Sequence, residues 1–174
     1  MQGQVIALKA DDASTSDVVS NATHLIVTID QTLQHCMCVN ECSIIALSCK
    51  VMVLVSLELN KLVAPELETL VLVSMPYGEC YHETILDLSE MPELKHIISL
   101  SNAFDLLHMP PGCQVYGDPR QAIFSDGKDI EAVDSPAIHR LREYFETPEV
   151  YGCSCFHYLP AGLDLFDLIA DSIK

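Results

Sequence analysis

The sequence predicts an α/β chain, a short irregular β-solenoid followed by a C-terminal cap containing two helices. Three observations carry that expectation. Pro65-Glu66-Leu67 returns as Pro92-Glu93-Leu94, 92 − 65 = 27 residues later, and each copy leads into an apolar run, Leu70-Val71-Leu72-Val73 and Ile97-Ile98-Ser99-Leu100. A second motif, Φ-acid-Φ-x-x-Φ with Φ apolar, is interleaved with the first: Leu57-Glu58-Leu59-Asn60-Lys61-Leu62, Leu86-Asp87-Leu88-Ser89-Glu90-Met91 and Phe104-Asp105-Leu106-Leu107-His108-Met109. Two short strands in each repeat of about 20–30 residues are the mark of a solenoid. The repeats then stop at Pro110-Pro111-Gly112, and helical spacing takes over downstream.

Composition sets the limits of this reading. A chain of 174 residues fits one domain, here 1–174, with 22–116 as the repeat region and 117–174 as the cap. Apolar residues make up 49% and Trp is absent, so stacked aliphatic side chains must supply the core. The formal net charge of −16 argues against binding nucleic acid through its phosphates. It suits a basic protein partner, and equally a surface kept charged for solubility. The longest strongly apolar stretch, Val51 to Leu57, is far short of the roughly 20 residues that cross a bilayer. With no secretion signal at its start, the sequence reads as cytoplasmic, and its eight cysteines as reduced thiols packed as small hydrophobes.

Taken in order, Gln4 to Lys9 reads as a first strand or cap, and Asp11 to Ser16 as a loop. A first strand row follows the pattern Φ-x-x-Φ-x-Φ. Its copies are Ala22-x-x-Leu25-x-Val27, Cys42-x-x-Ile45-x-Leu47, Leu67-x-x-Leu70-x-Leu72 and Leu94-x-x-Ile97-x-Ser99, with a weaker one from Cys113 to Tyr116. Their starts differ by 20, 25, 27 and 19 residues, the irregularity being absorbed in loops. The pattern resembles the leucine-rich repeat family over about 22–116, although Val73-Ser74-Met75 lacks the family's Asn or Cys after the strand. The resemblance implies a binding scaffold. The second row, with its own strand pattern, implies repeats closed by two strands rather than by outer helices.

Alternation along a strand assigns faces. In the first row the outward residues are Ile26, Ala46, Val71 and Ile98, then Thr28, Ser48, Val73 and Leu100. Stacked strands would join these into an apolar stripe, which is either covered by the C-terminal segment or used for a partner or for self-association through Val71 and Ile98. In the second row Glu58, Asp87 and Asp105 point outward and would form a carboxylate ladder. Glu41, Glu66 and Glu93, each one residue before a first-row start, would form another. Such columns are solvated faces, or docking faces that steer a basic partner.

Beyond Met109, Asp126-Gly127 signals a hairpin turn. Ser135-Pro136 is a helix start, an N-cap with proline at N1, and the helix should run to about Glu146 with Ile138, Leu141, Tyr144 and Phe145 on one face. Val150 to Tyr158 reads as extended, and Leu163 to Ile173 as an amphipathic helix with Leu165, Leu168, Ile169 and Ile173 in a stripe. These elements would close the open end of the solenoid.

Chemistry-bearing clusters are few. Cys153-x-Cys155-x-His157, and Cys36-x-Cys38-x-x-x-Cys42 with His35, lack the paired C-x₂₋₄-C spacing of a zinc site. Cys36 and Cys38 also align with the core residues Leu57 and Leu59, so packing accounts for them. There is no nucleophile elbow, phosphate-binding glycine loop or zinc-protease motif, and His82-Glu83 stands alone. The expectation is a non-enzymatic interaction module without cofactor or metal, whose oligomeric state the sequence does not set. Its partner would be a basic protein held by Glu58, Asp87, Asp105, Glu66, Glu93, Val71 and Ile98. A bacterial immunity or antitoxin-type inhibitor would have this character. The alternatives are a self-associating structural protein and a Cys/His enzyme using Cys153, Cys155 or His157.

Overall fold

Strands apolar on both faces dominate the centre of the chain. Val51-Met52-Val53-Leu54-Val55 and Thr69-Leu70-Val71-Leu72-Val73 have no polar alternation, the pattern of parallel strands covered on both sides. The computed structural model describes residues 3–9, 16–30, 42–55, 59–73, 84–100, 103–117, 122–146 and 163–174.

Among the described residues the architecture is α/β, with mostly parallel strands in three sheets and two helices. A six-stranded sheet contains β1 (Gln4–Lys9), β3 (His24–Asp30), β5 (Val51–Val55), β7 (Thr69–Val73), β9 (His96–Ser99) and β11 (Gln114–Gly117), in that order. A three-stranded sheet contains β2 (Ser16–Val19), β4 (Cys42–Ile45) and β6 (Leu59–Val63). A four-stranded sheet runs from β8 (Thr84–Asp87) through β10 (Ala103–Leu107) and β12 (Ala122–Ser125) to β13 (Lys128–Asp129). The chain thus alternates, odd-numbered strands up to β11 joining the large sheet and even-numbered ones the smaller two. All pairs are parallel except β12–β13. Among the described residues no sheet closes on itself.

The first-row register is continuous. Leu25, Met52, Leu70, Ile97 and Val115 lie opposite one another, at spacings of 52 − 25 = 27, then 18, 27 and 18 residues. These side chains point into a core shared with Val18, Ile44, Leu62, Leu86 and Leu106 of the smaller sheets. One expected copy is corrected here. Cys42-x-x-Ile45-x-Leu47 belongs to β4 in the three-stranded sheet, and Cys49-x-x-Met52-x-Leu54 takes its place in the large one. Consequently Ala46 is buried whereas Ile45 and Leu47 are exposed, the reverse of the expected faces.

Tight turns lead into the large sheet at a fixed place. The N–H of Cys49, Leu67 and Leu94, each two residues before its strand, and of Cys113, one residue before β11, donates to the carbonyl three residues earlier, on Ala46, Ala64, Met91 and Pro110. Pro111 and Gly112 occupy the centre of the last of these, and Gly112 has φ +79°, as a type II turn requires at its third position. The next corner repeats a second bond pattern. The carbonyls of Thr23, Lys50 and Glu68 each accept two N–H groups from the following strand's start.

The outer side of the large sheet carries Ile26, Val53, Val55, Val71, Val73, Ile98 and Leu100, all buried. Two helices cover them: α1 (Pro136–Glu146) through Ile138, Leu141 and Phe145, and α2 (Leu163–Ser172) through Leu165, Phe166 and Ile169. Each fully buried apolar side chain contributes about 1.5–3 kcal/mol relative to exposure, so the thirteen of this second core are worth roughly 20–40 kcal/mol as an upper bound. A fraction of that matches the net stability of a typical domain, so the helices are integral to the fold. The Ser135 Oγ accepts the Ile138 N–H at 3.2 Å, the expected N-cap.

The helices and the end of the core are handled separately. The helices lie on the sheet's outer face, while the core beyond β11 is covered by Ile130 and Ala132 on the strand-like segment that bridges Tyr116 through Val133. The Asp126-Gly127 turn, with φ +49° and +76°, joins β12 to β13 as the hairpin geometry demands. The segment Val150 to Tyr158 lies outside the described residues.

Ile98→Ala, at the middle of the helix-covered face, is expected to cost about 2–5 kcal/mol, and Ser135→Ala about 1 kcal/mol. Urea unfolding midpoints measure both, with exposed Glu93→Ala as a control that should change little.

Candidate functional site

The face that the described residues leave uncovered is the outer side of the two smaller sheets. Register aligns Val19, Ile45 and Val63 in one column and Asp17, Ser43 and Lys61 in the next. Val19 is 71% exposed, Leu47 at the following turn 53%, and Ile85 on β8 59%. β-Branched side chains suit a strand anywhere, but exposing several on one face is unusual for a surface with nothing to bind.

The carboxylates of this face are placed differently from the expected ladder. Asp105 lies opposite Ile85, and Asp87 opposite Leu107, so the two acids are offset by two residues along their strands. Glu58 and Glu41 lie outside the described residues. Asp87 accepts the Ser89 N–H at 2.9 Å, and this bond, with help from the Ser89 hydroxyl and His108, holds its carboxyl below the usual range. Asp105 accepts the Gly127 N–H at 3.4 Å. Each acid therefore anchors a turn while keeping an oxygen edge toward solvent.

The other acidic column is interrupted by cations. Lys50, Glu68 and Lys95 each precede a strand of the large sheet by one residue, and they stack in alternating sign. Lys50 lies 3.5 Å from Glu68 and 3.3 Å from Glu66, and Lys95 lies 2.8 Å from Glu68. The ion pairs lower the Glu68 pKa, with Lys95 the main cause, and raise that of Lys50, chiefly through Glu66. Glu93 is exposed at the equivalent corner. A partly compensated column makes a weaker attractor for a basic partner than the second-row face.

Val71 and Ile98 are removed from the candidate surface altogether. Both are fully buried beneath α1 and α2, so self-association through that stripe is overturned. Sequence reasoning missed the exposed Val19, Ile45, Leu47 and Ile85. The available signal was the alternation of Cys42-Ser43-Ile44-Ile45, buried and exposed by turns, against the unbroken apolar run of β5.

Chemical groups are scarce at this face. Among the described residues no three His, Cys, Asp or Glu side chains are grouped to hold a metal ion. The clusters around Cys36 and Cys38 and around Cys153, Cys155 and His157, and the pair His82-Glu83, lie outside the described residues. Burial pushes the Cys49 thiol up to about 12 and that of Cys113 to about 11, and raises Cys42 as well, which keeps all three protonated and poorly nucleophilic at neutral pH. Among the described residues no helix is long and apolar enough to cross a membrane. No protein-family model, curated protein or solved structure matches the chain.

Two histidines flank the covered face. His24 meets the Phe166 ring edge-on at 4.8 Å, and His96 Nδ1 lies 3.3 Å from the Tyr116 hydroxyl. Burial lowers both pKa values, and for His96 Lys95 adds to the effect against an opposing pull from Glu68. Because the folded state resists protonation, the unfolded chain binds more protons as pH falls through about 6.5, and stability declines from there downward. Urea midpoints at neutral and mildly acidic pH should show this loss, and His24→Gln/His96→Gln should flatten it.

Proposed function

We propose that the chain is a short β-solenoid of leucine-rich-repeat-like character, acting as a non-enzymatic protein-interaction module in the cytoplasm. Its docking face is the outer side of the second strand row, and its partner is a basic protein. The observation that carries this reading is the unequal treatment of the two outer faces. The chain's own helices cover one, while the other keeps Val19, Ile45, Leu47 and Ile85 exposed beside Asp17, Asp87 and Asp105.

The in-sequence order of the parallel strands supports a solenoid, since within each sheet every parallel pair joins strands two positions apart along the chain, the second row being broken between β6 and β8. Apolar patches rimmed by one sign of charge combine desolvation with steering: the carboxylates raise the encounter rate, and the aliphatic residues slow dissociation. An immunity- or antitoxin-type inhibitor, which neutralises an enzyme by covering a basic groove, has these requirements. Glu66 and Glu93 contribute at the rim, and Glu58 extends the acidic set.

Affinity capture from extracts of the native source tests the reading. Glu58→Lys/Asp87→Lys/Asp105→Lys is expected to lose a basic partner that wild type retains at low salt and releases at high salt. Ile45→Ser/Ile85→Ser is expected to shorten the partner's residence time with little change in its on-rate. A folded triple variant that kept every partner would refute the proposal.

A further inference from the structure

The five passages from the smaller sheets into the large one lie wholly within the described residues, at 20–23, 46–50, 64–68, 88–95 and 108–113. Four of them contain the tight turns that precede β5, β7, β9 and β11, and register stacks those turns. Leu47, Pro65 and Pro92 stand at the same offset before the aligned Val51, Thr69 and His96, each at the second position of its turn. Pro111 holds that turn position before β11. The third position carries Ser48, Glu66, Glu93 and Gly112. One edge of the molecule is therefore a column of apolar residues, with Glu66 and Glu93 in the column beside it.

Turn geometry explains part of the apolar column, because proline presets φ at the second residue of a turn. Leu47 has no such role, yet it fills the same position and is 53% exposed. Pro92 and Pro111 are exposed as well, and Pro65 is half-buried. Strands lie about 4.8 Å apart, so the column runs about 14 Å, the reach of about four or five residues of extended chain. Charge is graded along it. Glu66 and Glu68 are engaged by Lys50, and Glu68 by Lys95 as well. At the Pro92 rung, Glu90 and Glu93 are exposed and form no ion pair among the described residues.

We propose that this edge seats an extended, arginine-bearing segment of the basic partner. Aromatic or aliphatic side chains of the segment lie on Leu47, Pro65, Pro92 and Pro111, and an arginine reaches Glu90 and Glu93. The inference rests on the docking reading above and assigns the partner's contacting element. Charge complementarity selects a cation at the Pro92 rung, where the carboxylates have no cation of their own. Arginine fits that place better than lysine: its planar, weakly hydrated guanidinium lies flat on a proline ring while its N–H groups pair with a carboxylate. The turns hold the proline rings rigid, so little ordering is left for binding to impose. The direction of the segment follows. Its apolar end lies toward Leu47, where Val19 and Ile45 continue the exposed aliphatic surface, and its arginine toward Glu93.

The chain contains no Trp, so the fluorescence of a tryptophan peptide reports binding without background. The probe is a six-residue peptide of alternating tryptophan and arginine, with tryptophan–lysine and tryptophan–glutamate peptides as controls. Titration with the full chain is expected to show saturable binding with blue-shifted emission, weakened by salt, at least threefold tighter for the arginine than for the lysine peptide and absent for the glutamate peptide. Glu90→Lys/Glu93→Lys should weaken it at least tenfold and Leu47→Ser several-fold, whereas Ile85→Ser, on the open strand face, should leave it unchanged. Amide shift mapping gives a second readout, with changes concentrated at Ser48, Glu66, Glu93 and Gly112. No saturable binding, equal binding of the glutamate peptide, or full binding by folded Glu90→Lys/Glu93→Lys would each overturn the proposal. Loss of binding in Ile85→Ser alone would move the segment onto the strand face, overturning this inference and leaving the docking reading in place. That reading is decided separately, by the triple charge reversal.

Discussion

A parallel strand with aliphatic side chains on both faces must be covered twice, and that constraint organises this protein. β5 and β7 are buried along almost their whole length, one face against the smaller sheets and the other against helices. The first covering comes from the alternating path of the chain, which sends each excursion from the large sheet into a smaller sheet and back. That path cannot cover the outer face. The chain therefore supplies α1 and α2 after the strands are complete, and the helical stripes predicted from sequence face Ile26, Val53, Val71 and Ile98.

The turns explain how such a stack holds register through loops of unequal length. Spacings of 27 and 18 residues alternate, yet Leu25, Met52, Leu70, Ile97 and Val115 stay aligned. What repeats is the short stretch from the turn to the strand, where one carbonyl accepts two N–H groups from the next strand's start. Lys50, Glu68 and Lys95 stack at the same corner in alternating sign. Exposed ion pairs of this kind add little stability, but a like-charged stack would oppose the alignment that the backbone bonds require. The extra residues of the longer excursions fall elsewhere, so register is insulated from them.

Much of this was legible in the sequence, and the failures share a cause. Helix α1 was readable because Ser135-Pro136 is a local start signal and Ile138, Leu141 and Phe145 fall on one face. The β12–β13 hairpin was readable because Asp126-Gly127 meets a backbone demand that few pairs meet. Register was harder. A pattern with period two keeps every side chain on its face when a strand slips by two residues, so Asp87 over Asp105 and Asp87 over Leu107 look alike in sequence. The same ambiguity let Cys42-x-x-Ile45-x-Leu47 stand in for Cys49-x-x-Met52-x-Leu54. The discriminating signal was the apolar run from Val51 to Val55, which only a strand buried on both faces needs.

Correcting the register also moves the functional surface. With Val71 and Ile98 committed to the helix layer, exposed aliphatic side chains remain on the second-row face, at Val5 on β1 and at Val133 beyond β11. Acidic side chains are distributed to match. At the corners, Glu66 and Glu68 are engaged by Lys50 and Lys95. On the second-row face Asp87 and Asp105 accept backbone or hydroxyl donors and, among the described residues, form no ion pair with Lys or Arg, although His108 helps to hold Asp87 ionised. A carboxylate without such a pair beside an exposed isoleucine, as Asp105 is beside Ile85, contributes little to folding and offers a basic, partly apolar partner both of its needs at one place.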